Sequence, residues 1–185
     1  MNRQDRLNEK LLEELNNLGA GKDSYDFSTI ANLIKDGADP NVTNSDGWNA
    51  LHRVAFFEFD CPNELLVTIV NKIQNINAVN NDQRTALMEA ASENYLDMVS
   101  MLKKKRPDID PNVQDRHKQT ALHWAARITS DKMIELLLSF EGIDIDLQDD
   151  DHCTPLDLAR RYKCARCIEL LVKHPSQISK QAFKF

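Results

Sequence analysis

The residues whose types and spacing are typical of chemistry lie in the segment CARC, near the end of the sequence. Cys164 and Cys167 are separated by two residues, which is the spacing found in zinc sites and in thiol–disulfide redox centres. His152, Cys153 and His174 lie nearby in the sequence. A metal or redox protein that uses the Cys164/Cys167 pair is therefore one hypothesis for the function.

Packing offers a simpler interpretation of the same pair. Cys167 falls on the apolar face of the run CIELLVKH, which has helical spacing, and free cysteine commonly serves as a small hydrophobic residue. A structural zinc site needs four convergent ligands, and the sequence contains no second CxxC pair. We therefore expect neither a metal nor another cofactor.

Other motifs of catalytic proteins are incomplete in this sequence. The segment GAGK, Gly19 to Lys22, lacks the spacing and the preceding strand of a phosphate-binding loop. No serine or cysteine has an evident base, so we do not expect an enzyme. The basic run KKKRP, Lys103 to Pro107, is similar to a short nuclear-import signal, although cations before a proline also suit the C-terminal end of a helix.

Composition narrows the class of partner. The 185 residues carry a formal net charge of −6, which argues against sequence-independent binding to nucleic acid. No apolar run approaches the ~20 residues of a membrane-spanning helix, and the first residues, MNRQDRLNEKLLEEL, lack the apolar core of a secretion signal. Four cysteines without the spacing of a disulfide framework favour a reducing compartment. We expect a cytoplasmic protein whose partner is neither nucleic acid nor membrane.

A repeated motif must position any functional side chain. Four segments align, NALHRVA from Asn49, TALMEAA from Thr85, TALHWAA from Thr120 and TPLDLAR from Thr154, and their starts lie 36, 35 and 34 residues apart. Threonine and asparagine suit the N-cap of a helix, and proline suits its first position. After each segment comes an apolar run at helical spacing, LLVTIVNKI, LDMVSMLKK, MIELLLSF or CIELLVKH. Each repeat therefore predicts an inner and an outer helix.

This pattern resembles the ankyrin repeat, and TALHWAA is the best single match. The resemblance covers about residues 3 to 174 and implies an all-α solenoid of about five helix pairs with projecting hairpin loops. A single domain over 1–174 would hold a degenerate first unit at 3–41 and repeats at about 46–79, 82–114, 115–148 and 149–174, followed by a tail at 175–185. The first unit would carry one helix with Leu7, Leu11, Leu15 and Leu18 on a single face and a second helix closed by Gly37. The glycine that the family places after the inner helix is replaced by Glu58, Asn94, Thr129 and Lys163.

In the ankyrin family, partners bind the concave face that the hairpin tips and the exposed side of the inner helices form. Carrying those positions onto this sequence predicts ten partner-binding residues: Trp48, Phe56, Phe57, Arg84, Glu93, His117, Arg127, Ile128, Arg161 and Tyr162. Exposed aromatic residues dominate many binding sites, so Trp48, Phe56 and Phe57 are the predicted anchors. We expect Phe59 and Trp124 to be buried.

The resemblance also implies a site of modification. Asn41, Asn77 and Asn112 stand where ankyrin proteins are often hydroxylated by an asparaginyl hydroxylase. A purely structural role, in which the asparagine bonds across the hairpin, explains the same residues.

The first hypothesis for the function is a monomeric module that binds another protein as an adaptor, inhibitor or localiser. An alternative is a secreted effector of an intracellular bacterium that binds a host protein, because the sequence is rich in Asn, Lys and Ile, as in AT-rich genomes. The final segment PSQISKQAFKF would then be an export signal; in the other interpretation, Phe183 and Phe185 pack against the last repeat.

Overall fold

Helices account for nearly all of the regular structure. The computed structural model describes residues 2–18, 27–57 and 61–174, and within these ranges it contains ten α-helices and one isolated bridge, Val79 with Thr85. The helices are α1 (Arg3–Asn17), α2 (Phe27–Lys35), α3 (Ala50–Phe56), α4 (Asn63–Lys72), α5 (Ala86–Ser92), α6 (Leu96–Lys105), α7 (Ala121–Arg127), α8 (Asp131–Leu138), α9 (Pro155–Arg161) and α10 (Ala165–Lys173). The predicted all-α solenoid of five helix pairs is confirmed.

The inner helices α3, α5, α7 and α9 begin where the repeated motif predicts. Asn49, Thr85, Thr120 and Thr154 are the N-caps, and each side chain accepts a hydrogen bond from the backbone N–H three residues later. Pro155 occupies the first turn of α9, where its missing N–H costs nothing.

A continuous core joins the pairs. Leu11, Leu15 and Leu18 of the first unit are buried together with Ile30 and Ile34 from α2. The small residues of the inner helices, among them Ala55, Ala90, Ala91, Ala125 and Ala126, are fully buried, so that neighbouring inner helices pack closely. In the last inner helix the corresponding Arg160 is exposed.

The turns after α5, α7 and α9 require a left-handed backbone. Asn94, Thr129 and Lys163 have φ of 60°, 57° and 58°, although none is glycine. This conformation costs most non-glycine residues about 1–2 kcal/mol, and asparagine less. The left-handed residue is needed because it reverses the chain direction between the inner and the outer helix.

Three sets of predictions fall on residues outside the described ranges. They are the GAGK segment, Glu58 and Phe59, and the tail with Phe183 and Phe185. Among the helices of the described part of the chain, none combines the length and apolar character needed to cross a bilayer.

Candidate functional site

The hairpins that precede the inner helices share one pattern of hydrogen bonds. A single side-chain oxygen accepts two backbone N–H groups, from the residues two and four positions later. Asp115 Oδ1, for example, lies 2.9 Å from the nitrogens of both His117 and Gln119. The same bonds occur at Asn44, Asn80 and Asp149.

Neighbouring hairpins are also bonded to each other. The N–H of Asn81 donates to the carbonyl oxygen of Asp46 at 2.9 Å, and the N–H of Arg116 donates to that of Asp82 at 3.1 Å. The hairpin tips therefore form one continuous row joined by backbone hydrogen bonds, to which side chains add further links, such as Arg116 Nη1 at 2.6 Å from Asp82 Oδ1.

Each repeat places one hairpin side chain against the last turn of its inner helix, eight residues later. We call these the face pairs: Trp48 with Phe56, Arg84 with Ser92, Gln119 with Arg127, and Cys153 with Arg161. The two positions are equivalent in all four repeats, but the groups that meet there differ. The first pair is two aromatic rings, and in the other three an arginine bonds to a hydroxyl, an amide or a thiol group. All ten predicted partner-binding residues lie in hairpins, in the last turn of an inner helix, or at its C-cap.

An aromatic cluster, formed by Trp48, Phe56, Phe57 and Arg53, occupies the first position. The ring of Phe56 lies edge-on to Trp48 at 5.2 Å and edge-on to Phe57 at 4.9 Å, between centroids. All three rings are half-buried, and Phe57 also packs against the core. The expected anchors are therefore brought together, but they cover one another in part rather than standing fully exposed.

Arg53 lies between the aromatic rings and the end of α1. Its guanidinium lies 4.6 Å from the centroid of Phe57 and donates hydrogen bonds to the carbonyl oxygens of Leu15, Asn16 and Leu18 at 2.8, 3.1 and 2.8 Å. Burial lowers the pKa of this guanidinium. Arg53 thus ties the aromatic cluster to the end of α1, a role that the sequence reasoning missed.

In the second repeat an ion pair lies beneath the face. Arg84 Nη2 is 3.0 Å from Glu89 Oε2, and Asn80 Nδ2 donates to Glu89 Oε1 at 3.2 Å. The Glu89 side chain is fully buried, and burial raises its pKa to about 7 against the opposing effect of Arg84. Only 16% of the Arg84 side chain is exposed, so most of this predicted partner-binding side chain is covered.

Trp124 lies beside the hairpins rather than wholly in the core. It is half-buried, and its ring is covered by the guanidinium groups of Arg84, at 4.1 Å, and Arg127, at 4.7 Å, from the ring centroid. Its indole N–H donates to Asp115 Oδ2 at 3.1 Å. The burial expected for Trp124 is therefore only partial, because its position in the motif points toward the hairpin. We call Arg84, Trp124 and Arg127 the arginine–tryptophan stack.

A polar groove of about 390 Å³ adjoins this stack. It is lined by His117, Gln119, Trp124, Arg127, Asp149, Asp150 and Asp151. Its lining carries three aspartates and one arginine, and Lys118 Nζ lies 3.5 Å from Asp150 Oδ1. Beyond it, Arg161 donates to Cys153 Sγ at 3.0 Å and Tyr162 remains 45% exposed. Glu93 and Ile128 are half-buried.

The sequence contained a usable signal for the missed residues. Arg53, Glu89 and Trp124 occupy the same position of the repeated motif, which is leucine in the fourth repeat, Leu158. A charged or indole-bearing residue at a position suited to leucine indicates a polar partner nearby. That partner is contributed by a hairpin or by the preceding unit, as the contacts above show.

The asparagines considered for hydroxylation join successive repeats. Asn77 Nδ2 donates to the carbonyl oxygen of Asp108 at 3.0 Å, and its Oδ1 accepts from the N–H of Asp110 at 2.8 Å. Asn41 and Asn112 make the same two bonds one repeat earlier and later. The structural role predicted for these residues is therefore performed toward the next repeat rather than across their own hairpin.

The basic run Lys103 to Pro107 also has partners within the fold. Arg106 donates to the carbonyl oxygens of Val70 and Ile73 at 3.1 and 2.8 Å and pairs with Asp108 at 2.7 Å. Arg106 therefore caps the preceding outer helix, as a basic residue at a helix end can do.

The CARC pair differs from the expectation of free cysteines. Cys164 and Cys167 form a disulfide, and Cys164 is the N-cap of α10. Cys167 is fully buried, as predicted. The sulfurs meet because an N-cap side chain reaches over the first turn toward the residue three positions later. Within the described residues no three His, Cys, Asp or Glu side chains gather in a metal-binding arrangement.

Comparison with known proteins gives a consistent result. A model of ankyrin repeats in three copies matches residues 19–115 and 107–182. Inversin of Gallus gallus is 35% identical over 100 residues, 53% of this chain and 9% of that protein. Protein glp-1 of Caenorhabditis elegans is 26% identical over 155 residues, 79% of this chain and 12% of its own length. Human neurogenic locus notch homolog protein 2 is 33% identical over 118 residues, 64% of this chain and 5% of that protein. The chain thus spans no more than 12% of the length of these three relatives.

Proposed function

Since this chain belongs to the ankyrin-repeat family, we propose that it binds one protein through its concave face, as an adaptor, inhibitor or localiser. Ankyrin repeats are protein–protein interaction modules, and the face pairs are the observation that supports this use here. Their positions are held by hairpin backbone bonds, so their side chains are available for recognition. A rigid row of this kind binds without the cost of ordering loops.

The aromatic cluster is the proposed anchor. Trp48, Phe56 and Phe57 are half-buried, which leaves part of each ring for a partner while the edge-on packing restricts its motion. Rigid aromatic side chains lose little conformational entropy on binding and often supply most of the binding energy.

The remaining part of the face is proposed to select the partner by charge. Arg127 is exposed and held against Trp124, and Arg161 and Tyr162 are exposed at the end of α9. His117 borders the groove, with Glu93 and Ile128 at the C-caps of α5 and α7. Arg84 acts indirectly, by holding Trp124. The partner that fits is a protein with an apolar side chain at one end of its contact surface and carboxylates farther along.

The test is an affinity capture from eukaryotic cell lysate. Wild type is compared with a Trp48→Ala/Phe57→Ala variant and with Lys104→Ala, which changes an exposed residue of an outer helix. We expect a protein retained by wild type and by Lys104→Ala but lost from the double variant. Because Phe57 contacts the core, circular dichroism must show a folded variant, and Trp48→Ala alone serves as a second probe. Each truncation should weaken binding by about 2 kcal/mol.

Equal capture by wild type and by the folded double variant would remove the aromatic cluster from the proposal. Capture that is then lost from Arg127→Ala or Arg161→Ala would move the site to the other half of the face.

A secreted bacterial effector is the alternative biological setting for the same binding face. The abundance of Asn, Lys and Ile supports it. A reporter fused to this chain with and without residues 175–185, and followed in an infected host cell, separates a host-delivered protein from one that stays in the cytoplasm that makes it. Delivery that does not depend on residues 175–185 would reject them as an export signal.

Three narrower proposals accompany the binding function. The chain is expected to be a monomer in solution, which light scattering coupled to size exclusion measures. Asn41, Asn77 and Asn112 are proposed hydroxylation sites, and mass spectrometry of protein made in animal cells would detect the added oxygen. Import into the nucleus through Lys103 to Pro107 would be abolished by Lys103→Ala/Lys104→Ala, which spares the capping residue Arg106.

A further inference from the structure

We infer that Cys164 and Cys167 are a redox-active pair that exchanges thiol and disulfide with a low-molecular-weight thiol such as glutathione. This activity is separate from the proposed binding of a partner protein. It uses residues of the last helix pair that lie outside the face pairs.

The two sulfurs differ in access. Cys164 is half-exposed at the N-cap of α10, whereas Cys167 is fully buried in the core. An external thiol can therefore reach one sulfur of the disulfide but not the other. This arrangement, with an accessible first cysteine and a protected second one, gives exchange a defined direction.

The N-cap position also favours the thiolate that exchange requires. The Cys164 sulfur accepts a hydrogen bond from the backbone N–H of Cys167 at 3.2 Å. Free N–H groups of a first turn and the helix dipole stabilise a negative charge at this place. Lys163 and Arg166 flank Cys164 in the sequence, and Arg166 is partly neutralised by Glu169 at 2.8 Å.

The repeat does not require cysteine at either of these two positions. In the preceding outer helix, α8, Ser130 is the N-cap and its hydroxyl accepts from the N–H of Met133 at 3.2 Å, with Met133 buried in the core. Ser130 and Met133 thus perform the capping and packing that Cys164 and Cys167 perform in α10. What the cysteines add is the S–S bond, so the pair has a chemical property that its structural role does not explain.

The exchange balances with two molecules of thiol. A thiolate attacks the Cys164 sulfur, the bond between the two cysteines breaks, and Cys167 leaves as a thiolate that takes up a proton. A second thiolate then attacks the external sulfur of the mixed disulfide, which releases the small disulfide and leaves Cys164 as a thiol. Two electrons pass from two thiols to the protein disulfide, and the reverse sequence reoxidises the pair.

The test is a redox titration of the full chain in glutathione buffers of graded ratio, followed by alkylation and mass spectrometry. We expect Cys164 and Cys167 to lose their alkylation together in one reversible two-electron transition, while Cys61 and Cys153 stay alkylated under denaturing conditions. In the reduced, folded chain, Cys164 should react with iodoacetamide about tenfold faster or more at pH 7 than Cys61, which is buried and whose pKa burial raises to about 12.

Matched variants isolate the pair. Cys164→Ser keeps a capping hydroxyl, as Ser130 does, and should abolish the transition; Cys153→Ser should leave it unchanged. Cys167→Ala should trap a mixed disulfide between Cys164 and glutathione, because the second sulfur is missing. Circular dichroism reports whether each variant folds, and the wild-type titration decides the question even if one does not.

Two results would overturn the inference. Cys164 and Cys167 could both remain alkylatable at every glutathione ratio, which would make them packing residues. Alternatively, the oxidised species could be a disulfide-linked dimer or involve Cys61 or Cys153.

Discussion

The repeats that contain α3 and α7 use the same contacts to join the next repeat, but their face pairs differ in chemistry. In both, a histidine in the first turn joins its own N-cap to the next repeat: His52 Nδ1 lies 2.8 Å from Asn49 Oδ1 and His123 Nδ1 lies 2.8 Å from Thr120 Oγ1. Their face pairs differ completely, since one is Trp48 with Phe56 and the other is Gln119 with Arg127, joined at 3.1 Å.

We call the contacts that stack one repeat on the next the frame, and the face pairs with the side chains around them the face. The comparison shows that the chemistry of the face can change while the frame stays the same. Each histidine Nε2 faces a backbone carbonyl oxygen of the following hairpin, that of Arg84 at 3.1 Å or of Cys153 at 3.0 Å. Backbone partners are the same whatever the side chain, so the frame is constant. The face pairs bond through side chains, to each other and to side chains nearby, so they can change from aromatic to polar while the histidine bonds that stack the repeats stay the same.

The largest effect on stability is expected at Arg53, because this residue contacts both the aromatic cluster of the face and the end of α1. Replacing Arg53 with alanine removes three hydrogen bonds to the end of α1 and the support of Phe57, and should lower the free energy of unfolding by about 3 kcal/mol. Arg127→Ala is the matched control, because this exposed arginine donates a hydrogen bond to Gln119 and covers the ring of Trp124 within the same repeat. Urea denaturation measures both, and equal losses would mean that Arg53 belongs to the face rather than the frame.

The two histidines should make the frame sensitive to acid. Burial lowers the pKa of His52 to about 4 and lowers that of His123. The unfolded chain binds protons near pH 6.5, before the folded chain does, so the stabilisation is complete above about pH 6.5 and is lost as the pH falls toward 4. For His52 alone, the difference corresponds to on the order of 3 kcal/mol.

Urea denaturation at pH 7, 6 and 5 would measure this loss, and His52→Gln should reduce it. Glu89 acts in the opposite direction: its raised pKa, about 7, means that its contribution is present below the unfolded value near 4.5 and is lost as the pH rises toward 7. Glu89→Gln should therefore make the loss of stability in acid steeper. A profile that His52→Gln leaves unchanged would assign the acid sensitivity to other groups.

The frame could be predicted from the sequence because its signals are local. Thr85, Thr120 and Thr154 recur at fixed distance from an apolar run, and a cap depends on residues only three positions away. The contacts beneath the face could not be predicted in this way. Arg53 reaches carbonyl groups 35 to 38 residues earlier, and Trp124 is covered in part by Arg84 of the previous repeat, so each depends on how successive repeats are stacked.

The salt dependence of partner binding would distinguish the aromatic half of the face from the charged half. If the α3 half of the face binds by apolar contact, Trp48→Ala should lower affinity by about 2 kcal/mol at every ionic strength. Arg127→Ala should cost about 1 kcal/mol at low salt and less at 0.5 M, because charges on the exposed part of a face are screened. Calorimetric titration with the captured partner at two salt concentrations measures both. Parallel salt dependence in the two variants would contradict the division of the face.

The smallest effect concerns a frame position where the repeats containing α5 and α7 differ. After the inner helix, Asn94 and Thr129 adopt nearly the same left-handed backbone, with φ of 60° and 57°. Asparagine adopts this conformation at little cost, whereas a β-branched residue is strained in it. Thr129→Gly should therefore raise the free energy of unfolding by about 1 kcal/mol, while Asn94→Gly changes it by only a few tenths. Because the residue belongs to the frame, affinity for the partner should be unchanged in both variants. A stabilised Thr129→Gly protein that binds more weakly would show that the frame and the face are coupled through this turn.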